Sequence, residues 1–406
     1  MSNRAFSSLK ALILSGLVVA LGTCIAAAQK QYDIGVSDTE IKIGNVMPYS
    51  GPASAYAAIG KTEAAYFKMI NDQGGINGRK INFISYDDSF NPPKTVEQVR
   101  KLVESDEVYV LFNVVGTAGN SAIQKYVNLK KIPHIFISSG AARFDDPEQF
   151  PWSMAWWPGF KSEARIYAKY IQQHYPDKTI GVLYQNDDSG KDYLVGFHEA
   201  FGSEISKKIV VELPYEVTSP TVDSQVVQIK AANVDIFINL STPKFAAQAI
   251  KKIAELGWKP IQFLGNASAS TSSTMSAAGI DASRDIISAV YLKDPADPQW
   301  RNDEAIREFR AFMSKYYPAG DQENGTTVFG YGAAKAFVQV LRQCGDNLTR
   351  DNIMKQMTSL DMTIDVYLPG IKIKTSLTDY SPIDQLQLVK FNGQRFEPFG
   401  PVIDSK

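Results

Sequence analysis

The chain has 406 residues, 44% of them hydrophobic, and a formal net charge of −1. That is the composition of an ordinary globular protein long enough for two domains. The near-neutral charge and the lack of a basic block argue against a nucleic-acid partner, and no repeat of solenoid period is found.

Arg4 and Lys10 precede an apolar run, residues 11–21, and Ala26-Ala27-Ala28 follows as a cleavage site. This reads as a signal peptide over 1–28, removed before Gln29. The run is too short to span a bilayer, and no later stretch approaches the ~20 apolar residues that spanning needs. Lipidation at Cys24 is weighed against soluble export, and Thr23 before it is a poor fit to the usual small residue. Only Cys344 then remains, so no intramolecular disulfide is possible, and it reads as a small buried hydrophobe.

A strand is predicted at Ile41, Ile43 and Val46, broken by Tyr49-Ser50-Gly51-Pro52. A helix follows through Ile59, Thr62, Tyr66, Met69 and Ile70, ended by Gly74-Gly75. Residues 81–86 form a second strand, and Val96, Val99 and Val103 mark a helix. Strands at 109–112 and 134–137 end in Gly116-Thr117 and Ser138-Ser139-Gly140, with a helix between them. Alternating strands and helices mean a parallel sheet. Residues 141–158 read as an irregular, proline-bearing loop whose end crosses to a second unit. There the rhythm resumes: a helix near Lys161, a strand at 179–184, a polar loop 185–190, a helix from Lys191, and strands at 209–213, 235–240, 261–264 and 286–290. The run Lys293-Asp294-Pro295-Ala296-Asp297-Pro298 reads as a return crossing. Helices over 300–317 and 327–343 rejoin the first unit, and a final strand at 385–391 packs on the second. In an open α/β sheet the ligand site lies beyond the carboxyl ends of the strands.

Several stretches carry a resemblance. Gly44–Pro52 (GNVMPYSGP), Tyr56, Gly74–Arg79 (GGINGR), Tyr86–Lys94 (YDDSFNPPK), Val114–Asn120 (VVGTAGN), Ile135–Ala141 (IFISSGA) and Asp187–Tyr193 (DDSGKDY) resemble the branched-chain amino-acid type solute-binding proteins of ABC importers. The likeness runs through nearly all of the chain after the leader. It implies an α/β fold of two Rossmann-like lobes joined by three crossing segments, a type I periplasmic-binding-protein fold. The lobes are expected as 29–158 plus 291–360 and 159–290 plus 361–406. It also implies a monomer in the periplasm, with a small-molecule ligand and a membrane permease as partners and no cofactor. A sensory module of the same fold is the alternative from another class.

The resemblance carries over site residues one by one. Gly116-Thr117 and Ser139-Gly140-Ala141-Ala142 match the donors that hold an amino-acid carboxylate. Tyr56 matches a tyrosine that caps the ligand's apolar part. The second lobe departs from the pattern: Ser189 and Thr242 stand where tyrosines are common, and Ala142 replaces a threonine. Asn266-Ala267 follow Phe263-Leu264-Gly265, where amino-acid binders carry a carboxylate for the ammonium. A buried ammonium without a counter-charge would cost several kcal/mol. The expected ligand is therefore an aromatic or other carboxylate lacking an amino group, with a branched-chain amino acid or a small amide or urea as alternatives. Asp187 and Asp188 read as a solvated loop, with pairing to an amine as the alternative. Arg143 reads as a solvent-facing arginine, with pairing to a carboxylate as the alternative. Trp152, Trp156, Trp157 and Phe160 read as packing at the hinge, with an aromatic wall for the ligand as the alternative. The three histidines are far apart, no nucleophile elbow or Walker loop is found, and no catalytic or metal residue is expected.

Overall fold

The computed structural model describes residues 30–405. The expected signal peptide and Cys24 lie outside the described residues. Two sheets organise the chain. The first holds β1 (Glu40–Met47), β2 (Lys80–Asp87), β3 (Val110–Phe112), β4 (His134–Ile137) and β5 (Ser153–Ala155) in the order β2-β1-β3-β4-β5, all parallel. Strand β5 falls inside the stretch expected to be irregular. It is only three residues long, too short for any periodicity to announce it.

Helices α1 (Ala57–Asp72), α2 (Pro92–Glu104) and α3 (Thr117–Leu129) are the crossovers of this sheet. Asn91 caps α2 by accepting the Lys94 N–H. Strand β1 is buried along most of its length, and a Cβ at Gly44 would come within 3.1 Å of Val108 and Leu111.

The second sheet holds β6 (Ile180–Gln185), β7 (Ile209–Tyr215), β8 (Ile236–Leu240), β9 (Ile261–Leu264), β10 (Ile287–Val290), β11 (Gln385–Phe391) and β12 (Phe396–Asp404). Their order is β12-β11-β10-β9-β8-β6-β7. The last two strands form an antiparallel hairpin added to a parallel sheet. Its helices are α4 (Phe160–His174), α5 (Asp188–Phe201), α6 (Asp223–Ala231) and α7 (Pro243–Glu255).

Helices α8 (Glu304–Tyr316) and α9 (Gly325–Cys344) return to the first lobe. A Cβ at Gly330 of α9 would sit 2.8 Å from the Ile59 carbonyl, so the glycine permits the close crossing with α1. Phe337 of α9 stacks on Phe112 of β3 at 4.4 Å between ring centroids. Cys344 is buried, as expected. The short strand Gln31–Tyr32 pairs with Asn347–Leu348, and Arg79 bonds both Tyr32 and Asp346.

Three segments join the lobes, and they are tied together. The Trp156 indole N–H donates to the Tyr367 hydroxyl at 3.1 Å, and the N–H groups of Lys293 and Leu368 bond the carbonyls of Val366 and Tyr291. The stretch 361–380, expected on the second lobe, lies against the first. Lys335 pairs with Asp365, and Tyr380 bonds the Asp145 carboxylate and the Pro151 carbonyl.

Candidate functional site

In each sheet the strand order reverses once, between β1 and β3 in the first and between β6 and β8 in the second. Those switch points open crevices at the carboxyl ends of the strands. They face each other across a cavity between the lobes. From the first lobe it is lined by Tyr56, Phe90, Gly116, Thr117 and Ser139. From the second it is lined by Gln185, Ser189, Tyr193, Thr242 and Ala267, with Trp157 and Phe160 at the crossing. The expected residues Tyr56, Gly116, Thr117, Ser139, Ser189, Thr242 and Ala267 are thus brought together.

Four expected residues are not. Gly140, Ala141, Ala142 and Asn266 lie off this wall. Gly140 accepts the Phe160 N–H, and a Cβ on it would meet the Pro158 carbonyl at 2.0 Å. The Ala141 N–H turns back to the Ser139 hydroxyl. The Ala142 N–H, expected on the ligand, donates to Asp192 of the other lobe at 2.7 Å. Asn266 is spent on Glu163 and the Ala289 carbonyl. These groups have local partners, so the likeness of loop sequence did not carry their orientation.

The first lobe keeps one unsatisfied polar end. Gly116 is the N-cap of α3, with φ at +102°, and has no side chain to cap it. A Cβ there would also meet the Phe90 ring at 2.4 Å. The first N–H groups of α3, from Thr117 on, therefore have neither an intrahelical acceptor nor a cap. The Thr117 and Ser139 hydroxyls lie 2.7 Å apart, which engages one proton and leaves the other to donate.

In the second lobe most polar side chains have partners within the protein, although α7, like α3, begins without a side-chain cap, at Thr242. Asp187 caps α5, accepting the N–H groups of Ser189 and Gly190. It also takes the Ser189 hydroxyl and the Gln185 amide. It is not the solvated loop residue expected, and α5 begins at Asp188 rather than Lys191. The Ser241 hydroxyl goes to Asn239, and Thr242 bonds the Tyr215 hydroxyl through its N–H. Tyr193 stacks on Phe160 and donates to Glu163 at 2.6 Å. Glu163 also receives the Tyr167 hydroxyl and the Asn266 N–H, and burial raises its carboxyl to about 7. Among the described residues, no Asp, Glu, Lys, Arg or His lines this cavity.

Four hydrogen bonds tie the lobes across the cleft mouth. Tyr56 donates to the Ala267 carbonyl at 3.0 Å, and Ala142 bonds Asp192 as above. Asp188 receives Arg143 at 2.8 Å and the Ser121 hydroxyl at 3.1 Å. Arg143, expected to face solvent, is an interlobe partner held in place by Gln124. Trp156 is packed at the hinge as expected, whereas Trp157 and Phe160 reach the cavity wall.

Sequence reading missed a second cavity beside the return crossing. It shares Trp157 and Ala267 with the cleft and adds Tyr291, Asp294, Thr271 and Ser273. Thr271–Met275 is a π-turn, which periodicity in an ASASTSSTMS run does not signal. Among the described residues, no group of acidic, Cys or His side chains has the arrangement to hold a metal. His134 is buried against Asn120 at 2.6 Å, and burial lowers it to about 3.

Residues 40–395 match the family model described as periplasmic binding protein. A Leu/Ile/Val-binding protein homolog 1 of Brucella abortus (strain 2308) is 25% identical over 319 residues, covering 77% of this chain and 81% of the relative. A branched-chain amino acid ABC transporter structure from Thermus thermophilus with bound valine aligns with a TM-score of 0.81 at 16% identity, over 91% of this chain and 97% of that one. An R. palustris ABC transporter solute-binding protein in complex with benzoate aligns with a TM-score of 0.76 at 20% identity, over 90% and 98%.

Proposed function

The chain belongs to the periplasmic binding protein family, and on that footing we propose that it captures a carboxylate lacking an α-amino group, aromatic for preference, and delivers it to an ABC permease. The observation that carries the reading is a cleft that offers helix-start N–H donors and, among its lining residues, no charged side chain. One wall offers the uncapped start of α3 and the Thr117–Ser139 hydroxyl pair. The opposite wall adds the uncapped start of α7 at Thr242 and offers no charged side chain. A carboxylate gains charge-assisted hydrogen bonds at the helix start. An ammonium would lose its water and meet aromatic rings and spent hydroxyls. Phe90, Trp157, Phe160 and Tyr193 supply apolar surface for a ring. The benzoate complex of a fold neighbour agrees with this class.

The curated relatives favour a second reading, a branched-chain amino acid. It requires a carboxylate to reach the amine, and Glu163 and Asp187, which bond the lining residues Tyr193 and Ser189, are occupied by donors of the protein itself. An amide or urea needs no counter-charge, and it is separated from the acids by the same titration. Closure is the working step: ligand contacts to both lobes stabilise the closed state in which Tyr56 reaches Ala267. Calorimetry on the exported chain tests the assignment. Benzoate-like acids should bind at least tenfold more tightly than leucine or valine. Micromolar leucine binding with none for aromatic acids would overturn it.

A further inference from the structure

Trp157 and Ala267 line both the hinge cavity and the cleft. We propose that the ligand is long enough to pass Trp157 and that its far end carries a hydrogen-bond donor, an ammonium or a hydroxyl, received in the hinge cavity by Asp294 and Tyr291. This deepens the carboxylate reading of the cleft and rests on it.

The cavity is built for a polar tip on an apolar body. Val290, Leu292, Phe329 and Leu368 give it apolar walls. Tyr291 is 1% exposed, and its hydroxyl finds no hydrogen-bond partner. The Trp157 indole N–H and the Thr271 and Ser273 hydroxyls are likewise buried and unpartnered. A buried polar group without a partner is costly, and a ligand hydroxyl entering between them would satisfy several at once. An ammonium would serve the hydroxyl oxygens of Tyr291, Thr271 and Ser273 but not the Trp157 N–H.

The charges are sorted in the same sense. Lys293 pairs with Asp303 at 2.7 Å, Arg395 with Asp297 at 3.2 Å, and Arg310 with Glu323 at 2.7 Å. Asp294 accepts only the Ala296 N–H and pairs with no cation among the described residues. It is the open acceptor of the cavity. The walls come from both lobes and from the crossing between them, so a tip held here is gripped by the parts that move.

Matched ligands read the idea directly. Calorimetry compares 4-ethylbenzoate with 4-(2-hydroxyethyl)benzoate and 4-(2-aminoethyl)benzoate at neutral pH. The donor-bearing acids should bind at least tenfold more tightly than the ethyl compound. The quantity followed in each variant is this ratio, which cancels a general loss of folding. Asp294→Asn should bring the ratio for the amine close to one, and Tyr291→Phe should reduce the ratio for the alcohol at least threefold. Equal affinity across the three acids overturns the extension and leaves the carboxylate reading standing. An undiminished ratio in Asp294→Asn overturns it too. Failure of all three acids to bind removes both.

Discussion

Single side chains decide what this cleft can hold. Ala267 lines the cleft, and its side chain carries no charge to answer an ammonium. Ala267→Glu should weaken an aromatic acid at least tenfold through repulsion in a desolvated site, as read by calorimetry. Tyr56→Phe removes the bond to the Ala267 carbonyl and should cost about 1 kcal/mol of ligand affinity, roughly fivefold. Glu163 is a residue whose folded carboxyl titrates above its unfolded value of 4.5, at about 7. The folded state then binds more protons than the unfolded one between those values, so stability falls as pH rises from 4.5 to 7. The contribution is about 3 kcal/mol. His134, lowered to about 3 by burial, works in the opposite sense and loses stability as pH falls from 6.5. Urea denaturation from pH 5 to pH 8 should therefore show a flatter profile for Glu163→Gln than for the wild type.

The elements were legible where the pattern is long and the partners are local. Strands β1, β4 and β9 stand within a residue or two of their expected positions, and α2 contains Val96, Val99 and Val103 but begins earlier, at Pro92. The glycine before α3 was visible as a turn, but its meaning as an uncapped helix start needed the φ of +102° and the packed Phe90 ring. Gly116→Ala should cost about 1–3 kcal/mol in folding stability by urea denaturation and should also abolish acid binding, because both backbone and ring must shift. What the sequence hid was the destination of donors. Nothing in Ser139-Gly140-Ala141-Ala142 says that one N–H serves a neighbouring hydroxyl and another the opposite lobe. The start of α5 was hidden for a related reason. Two aspartates in a row read as solvent-facing, yet the first is a cap and the second an interlobe anchor. Strand β12 escaped because its Pro398 and Pro401 discourage a strand reading, which an edge position tolerates.

At the scale of the whole molecule, two lobes are held shut by a few polar contacts over a hinge whose three segments are bonded together. Arg143 and Asp188 are each more than a third exposed, so their pair is worth only ~0.2–1 kcal/mol. Such a latch biases closure without locking it. Arg143→Ala combined with Asp192→Asn should enlarge the radius of gyration of the unliganded protein in small-angle scattering, and saturating ligand should restore it. An unchanged radius would mean that the hinge alone sets the lobe angle. The pairing of Gln31–Tyr32 with Asn347–Leu348 has a different reach. The first strand of the described chain waits for a partner made some three hundred residues later, and the second sheet waits for a hairpin ending at Asp404. During synthesis neither lobe is finished early. Both are completed within the final stretch of the chain, and contacts of such long sequence separation slow folding.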